Sequence, residues 1–294
     1  MHNLSIRSSV KQRYSDVISL LNAWAPLTVN DVLRASLTFA EPYLNAKECR
    51  RELRAMWNAG YLGRRPIPDT GRGQKPYAYH LRRRAADLVA SVADIPKSNS
   101  LFHGIGRNPW HSLAIGEVGA LLEAHAATTP SVTILERVRD RQFRADLSPH
   151  NLPRLIPDGT VLVHIKGRLK VFFIELVHET ATINPGAEGA RARSLAGKLE
   201  KFKAFNTSRR LHPTWWAFER AYGYVGGFQV LVVTTKRNAQ YIQSAAPNTN
   251  TMCVFAELDA LRATENVFVN DVWWLPPSAR WQRTTPVRTS LIAL

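Results

Sequence analysis

The sequence predicts an α/β chain, α+β overall: a small helical domain closed by a β-hairpin, then a larger α-β-β-β-α-β domain on a mixed sheet. Three observations carry this. Apolar residues at helical spacing fill residues 15–62 and give way to an alternating Tyr77, Tyr79 and Leu81. From residue 131 onward β-branched runs dominate, "SVTILERV", "DGTVLVHI", "LKVFFIELV" and "FQVLVVTT", with helix-patterned sequence before the last. Between the two patterns, "ADIPKSNSLFHGIGRNPWH" holds Pro, Gly, Ser and Asn with no sustained period. Domains are therefore expected at 1–97 and 109–294, with a linker at 98–108.

In the first domain, "SDVISLLNAW" places Val17, Leu20, Leu21 and Trp24 on one helical face. "LTVNDVLRAS" offers Thr28 as a cap for a short helix with Val29, Val32 and Leu33 inward. In "NAKECRRELRAMWNAGYL", Asn45 fits the N-cap with Glu48 three residues on, as in a capping box. Cys49, Leu53, Met56 and Trp57 form its apolar stripe, while Lys47, Arg50, Arg51 and Arg54 lie mostly on the other face. Gly60 ends this helix. A strand from Tyr61, the turn chemistry of "PDTGRGQK" and the strand through Tyr77 to Leu81 make a hairpin.

Helix, helix, basic helix, strand, Gly-Arg-Gly turn, strand is an order that resembles winged helix-turn-helix DNA-binding domains over residues 12–85. The resemblance implies that the third helix enters the major groove and that the hairpin touches phosphate or the minor groove. Arg50, Arg51 and Arg54 are then the groove contacts, and Arg64, Arg65, Arg72 and Lys75 the contacts from the hairpin.

In the second domain, "NPWHSLAIGEVGALLEAHA" is an expected helix with Leu113, Val118, Leu121 and Leu122 inward. Three strands follow, then a helix over about 190–205, the buried strand "FQVLVVTT", a short helix near Asn238–Ser244 and the strand "MCVFAEL". Asp158 opens the second strand and Glu175 lies near the end of the third, inside "FFIELV". An unpaired carboxylate in so apolar a strand is costly to bury, so two acids on adjacent strand ends suggest a shared ligand. Asp before Gly is also ordinary turn chemistry. The arrangement resembles the core of the PD-(D/E)xK nucleases over residues 110–256. That resemblance implies Mg²⁺ held by Asp158 and Glu175, a hard ion on oxygen ligands, with Glu117 of the preceding helix joining the site. It also asks for a lysine two residues after the second acid. Val177 stands there, which leaves Lys198 or Lys201 of the next helix to supply the ammonium, or His178 as a substitute base. The pairs Trp215-Trp216 and Trp273-Trp274 are read as core or interface packing.

Charge narrows the partner. The 294 residues carry 39 Lys and Arg against 23 Asp and Glu, a formal net charge of +16. The excess belongs to no single tail: residues 1–97 hold 16 basic and 8 acidic side chains, the remainder 23 and 15. Such a balance favours a polyanion, because each phosphate neutralised releases counterions. DNA is the expected partner. No apolar run reaches eighteen residues and the start lacks a signal-peptide core, so no membrane partner is expected. Cys49 and Cys253 stand alone, in keeping with a cytoplasmic location and without a zinc motif. The basic then apolar tail, "SARWQRTTPVRTSLIAL", points to a homodimer.

One family joins both halves. His111, Pro157-Asp158-Gly159, Phe173-Ile174-Glu175, Thr180 and "KLEKFKAF" resemble the plasmid replication-relaxation proteins, although the aspartate of that pattern is again replaced by Val177. The resemblance implies a DNA-binding protein of a plasmid, phage or other mobile element, acting in replication or mobilisation. Three readings of the second domain stand side by side. It cleaves or nicks DNA with Mg²⁺ through Asp158, Glu175, Lys198 and Glu117. It is an inactive clamp or dimerisation module of a replication or transcription regulator. Or it is a scaffold in which Asp158 caps a turn and Glu175 pairs with a basic neighbour.

Overall fold

The computed structural model describes residues 12–67, 76–85, 108–139, 143–177, 194–235, 252–276 and 287–294. The chain divides into two units, Met1–Thr128 and Thr129–Leu294. Residues 98–107 of the expected linker, Arg72, Lys75, His178, Thr180 and the short helix near Asn238–Ser244 lie outside the described residues.

In the first unit, α1 (Gln12–Trp24) buries Val17, Ile18, Leu20, Leu21 and Trp24, the stripe its spacing predicts. A two-residue strand, β1 (Leu27–Thr28), leads into α2 (Val29–Ala35). The Thr28 hydroxyl accepts from Asp31 N–H, and the Asp31 side chain accepts from Thr28 N–H, a complete capping box. Within α2 the buried positions are Asp31, Val32 and Ala35, with Val29 and Leu33 only half-buried. Helix α3 (Ala46–Asn58) starts at Asn45, whose side chain accepts from Glu48 N–H. The Glu48 carboxylate accepts from Leu44 N–H and meets Arg13 of α1, tying the two helices together. Cys49, Leu53 and Met56 are buried, and Trp57 is only half-buried. Strands β2 (Leu62–Pro66) and β3 (Tyr77–Leu81) pair antiparallel, and β1 adds to the other edge of β3, giving the order β1-β3-β2.

The long helix α4 (Pro109–Ala127) was expected to open the second domain, but it packs within the first unit, against α2 and α1. Small residues permit this. A methyl group at Gly116 would lie 2.4 Å from the Pro26 carbonyl oxygen, and one at Gly119 would lie 2.1 Å from the Trp24 ring. The Trp24 indole N–H then donates to the buried Glu123 carboxylate at 2.9 Å. Leu113, Val118, Leu121 and Leu122 are buried as their spacing predicts. The seam is what the sequence alone conceals: two glycines carry no hydrophobic signal, yet they set where the helix docks.

The second unit is a mixed sheet of seven strands in the order β10-β9-β8-β7-β6-β5-β4. β4 (Val132–Arg139), β5 (Gly159–Ile165) and β6 (Arg168–Val177) form an antiparallel meander. β6, β7 (Phe228–Thr234) and β8 (Cys253–Glu257) run parallel. β9 (Trp273–Leu275) follows at the sheet edge, and the tail that was expected to dock on a partner pairs with it as β10 (Val287–Thr289). The β5–β6 turn uses Lys166 at φ 48° and Gly167 at φ 79°, the left-handed pair that a two-residue hairpin needs.

The crossover from β6 to β7 carries α5 (Leu195–Ser208) and α6 (Pro213–Tyr222); α7 (Leu258–Ala263) follows β8. Leu199, Phe202 and Phe205 of α5 and Trp215 of α6 pack on Leu162, Phe173, Val230 and Phe255 of the sheet. Phe143 and Phe205 both meet Phe173 edge-on, at 4.8 and 5.8 Å between centroids. Trp215 and Trp273 are fully buried, as read from the sequence, whereas Trp216 is exposed. Among the described residues no helix is long and apolar enough to cross a membrane.

Candidate metal centre and nucleic-acid interface

Register places the two acids together. Gly159 pairs with Ile174, and Asp158 N–H donates to the Ile174 carbonyl at 3.1 Å, so Asp158 stands opposite Glu175 at the open end of the hairpin. With side chains alternating, Asp158, Thr160, Leu162, Val171, Phe173, Glu175 and Val177 share one face, the face that α5 covers. Ser194 caps α5, its hydroxyl accepting from Gly197 N–H, and so starts the helix one turn before Lys198. The Lys198 ammonium contacts the Glu175 carboxylate and lies 3.4 Å from Asp158 Oδ2. Asp158 Oδ2 also accepts from Leu176 N–H at 2.9 Å.

Val177 belongs to the apolar cluster with Leu195 and Leu199, so a lysine at that position would have to pass through packed side chains. Lys198 instead reaches the acids from the facing helix. Lys201, one turn further on, has its pKa lowered by burial and by the charge of Lys198, and it bonds neither acid. Glu117 was expected as a further acid of the site. It lies on α4 in the first unit, where its charge acts on Asp31: burial raises the Asp31 carboxyl, hydrogen bonds from Thr28 oppose this, and Glu117 adds to the rise. Among the described residues no group of three or more His, Cys, Asp or Glu is set to hold a metal.

Glu175 is the electrostatic centre. Its side chain is 1% exposed, and burial pushes its pKa from near 4.5 to about 8, with Lys198 opposing the rise and Asp158 reinforcing it. Lys198, 30% exposed, is raised by the two carboxylates against its own burial, so its proton is held. Glu175 Oε1 is buried with no hydrogen-bond partner, and so is Thr160 Oγ1 on the same face. An orphaned carboxylate oxygen costs about 1–3 kcal/mol or more. The donor set is hard oxygen, and the orphaned atom is a lone pair left for a cation, so the residues fit a small divalent ion such as Mg²⁺.

The first unit gathers cations. Lys47, Arg50, Arg51 and Arg54 are all exposed on α3, opposite its buried stripe, and Arg65 is exposed on β2. Arg64 is held differently. Its guanidinium lies 3.8 Å from the Trp57 ring centroid and 4.4 Å from that of Tyr77, stacked between them. A cavity of about 310 Å³ opens between α2, α3 and the hairpin, lined by Arg50, Arg54, Arg64, Tyr77 and Tyr79 among others. Sequence reading assigned Trp57 to the core. The missed signal is Arg64 directly across from Tyr79 in the hairpin register, next to a half-buried tryptophan.

This assembly, a basic helix beside a hairpin and an acid pair completed by a lysine of the next helix, runs through a region that a family model recognises. A model described as replication-relaxation matches residues 19–214, about two thirds of the chain. The chain belongs to the replication-relaxation family. No curated protein and no solved structure matches it. The replication-relaxation match takes in α3, β2 and β3 and ends just past α5, so both candidate sites fall inside it.

Proposed function

We propose that this replication-relaxation protein binds DNA through a winged helix-turn-helix formed by α3 and the β2–β3 hairpin, and cleaves or nicks it at a nuclease-like centre formed by Asp158, Glu175 and Lys198. The observation that carries the reading is Lys198 meeting both acids from the following helix. That contact supports a carboxylate-carboxylate-lysine set whose lysine comes from the helix, with Val177 at the strand position.

The residues divide the work by chemistry. Asp158 and Glu175 would hold Mg²⁺, which when bound polarises a phosphate and lowers the pKa of a water. Leu176 N–H fixes the Asp158 carboxylate, so its position is set before any ligand arrives. The Lys198 ammonium partly offsets the charge of the pair without the ion and offers a hydrogen bond and a positive charge to a phosphate oxygen. Arg50, Arg51 and Arg54 supply the groove and phosphate contacts, with Arg65 on the hairpin. Arg64, clamped by two rings, holds the hairpin against α3 and presents a fixed planar donor to the cavity.

Val177 supports a second reading. A Glu175–Lys198 pair beside an apolar cluster that holds Val177 is also what an inactive clamp retains. Incubation of the protein with supercoiled DNA, with Mg²⁺ or EDTA, beside Glu175→Gln and Lys198→Met, decides between them. Cutting that needs the metal and disappears in both variants is expected. Binding without cutting under every condition, with both variants folded, would establish the clamp.

A further inference from the structure

A concavity of the second unit lies at the other end of the hairpin from Asp158 and Glu175. It measures about 890 Å³, within the usual range of small-ligand sites. Its wall joins the β5–β6 turn to the segment between α6 and β7. Its lining brings together the polar side chains His164, Arg168 and Lys170 and the rings Tyr222, Tyr224 and Phe228. No Asp or Glu side chain lines it. That imbalance is unusual next to a buried lysine stem. The Lys170 pKa is lowered by burial first, and then by the charges of Arg168 and Lys166, and it makes no ion pair among the described residues. Arg168 and Lys170 thus bring two cations to a cavity that no Asp or Glu side chain lines, a balance that favours an anionic ligand.

The rings decide which anion. Tyr224 is 68% exposed, so its face is open to a planar group, and Arg210 lies over that ring at 5.6 Å and donates to its hydroxyl at 3.1 Å. The Tyr222 hydroxyl is held by Glu136 of β4, which fixes the ring at the cavity wall. Gly226 and Gly227 follow Tyr224 with no side chain to close the mouth, and a methyl group at Gly227 would meet nothing within 4 Å. Cations for phosphate beside aromatic faces for a base are the two components with which proteins hold single nucleotides and unpaired strands.

We propose that this cavity binds a nucleoside 5′-phosphate, with the phosphate on the Arg168–Lys170 side and the base against Tyr224. The site is separate from the acid pair and requires neither a metal nor cleavage, so it stands whether or not the reading above does. A free nucleotide and the 5′-phosphorylated end of a single strand share this chemistry.

The test is calorimetric titration of the full chain in EDTA with thymidine 5′-monophosphate, thymidine, inorganic phosphate, and a six-residue oligothymidylate with and without its 5′-phosphate. Thymidine monophosphate is expected to bind at least about tenfold tighter than phosphate or thymidine alone, a difference of about 1.4 kcal/mol. Lys170→Met and Tyr224→Ala are each expected to weaken it about tenfold, since one removes the charge and keeps the stem while the other alters an exposed ring. An Arg50→Ala/Arg54→Ala protein is expected to bind it unchanged, which separates this cavity from the α3 face. Tighter binding of the 5′-phosphorylated oligonucleotide than of its hydroxyl form, lost with Lys170→Met, identifies the strand end as the source; preference for the monophosphate identifies the free nucleotide. No binding of the monophosphate, or binding indifferent to both cavity variants, overturns the proposal.

Discussion

Replacing Glu175 with Gln tests the electrostatics of the acid pair without relying on activity. The variant keeps the shape of the side chain and removes its titration. In the parent, burial raises the folded-state pKa from near 4.5 to about 8. The folded state therefore keeps a proton that the unfolded state has released, and stability falls as pH rises through that window. At about 1.4 kcal/mol per pH unit, the span is worth about 5 kcal/mol. Loss of the contact with Lys198 shifts the variant by a constant amount and leaves this slope alone. Urea unfolding of both proteins from pH 4.5 to 9 is the assay. The variant is expected to gain on the parent by about 5 kcal/mol between pH 4.5 and 8, and then to run parallel to it. Adding Mg²⁺ is expected to flatten the parent's decline, because a bound cation takes the place of the retained proton. A difference that stays level, or a parent that gains with pH, would refute the argument. It would mean that Lys198 outweighs burial and keeps Glu175 ionised throughout.

Other consequences are direct. Arg54→Ala, on the exposed face of α3, is expected to weaken DNA binding and lower the salt slope by about 1 if the contact is to phosphate; filter binding at several salt concentrations measures both. Gly119→Ala is expected to lower stability by about 1–3 kcal/mol despite better helix propensity, because the new methyl group meets the buried Trp24 ring; thermal unfolding followed by tryptophan fluorescence reports it. Lys198→Met strands two acids at one site, so beyond losing any metal-dependent cutting it is expected to cost about 3–5 kcal/mol at pH 8 and less at pH 5, where Glu175 is protonated, as measured by chemical unfolding.

What could be read from the sequence follows the reach of each signal. The stripes of α1 and α3, the Asn45 cap, the hairpin and the strand order through β8 are local patterns, and the structure carries them. The convergence of Asp158 with Glu175 was readable because a hairpin fixes register within one short turn. Lys198 was only one of two choices, since its approach depends on where the cap at Ser194 starts α5, and the stretch just before that cap carries no periodic pattern. The placement of α4 was not legible: its stripe says that it is buried but not against what. The stacking of Arg64 was hidden for a similar reason, because Trp57 suits a core as well as a clamp. β9 and β10 were missed because three-residue strands at a sheet edge carry almost no alternation.

The seat of α4 on Trp24 also has a meaning for how this protein can be taken apart. The Pro- and Gly-bearing stretch near residue 100 invites a cut there, yet a piece ending at residue 97 would lack the helix that covers α1 and α2. Its Trp24 would face water, and its indole N–H would lose Glu123. The transferable module is therefore the chain through Thr128. A chimaera that grafts the first unit of this protein onto a relative must carry α4 with it, and one that exchanges α4 alone must carry glycine at positions 116 and 119.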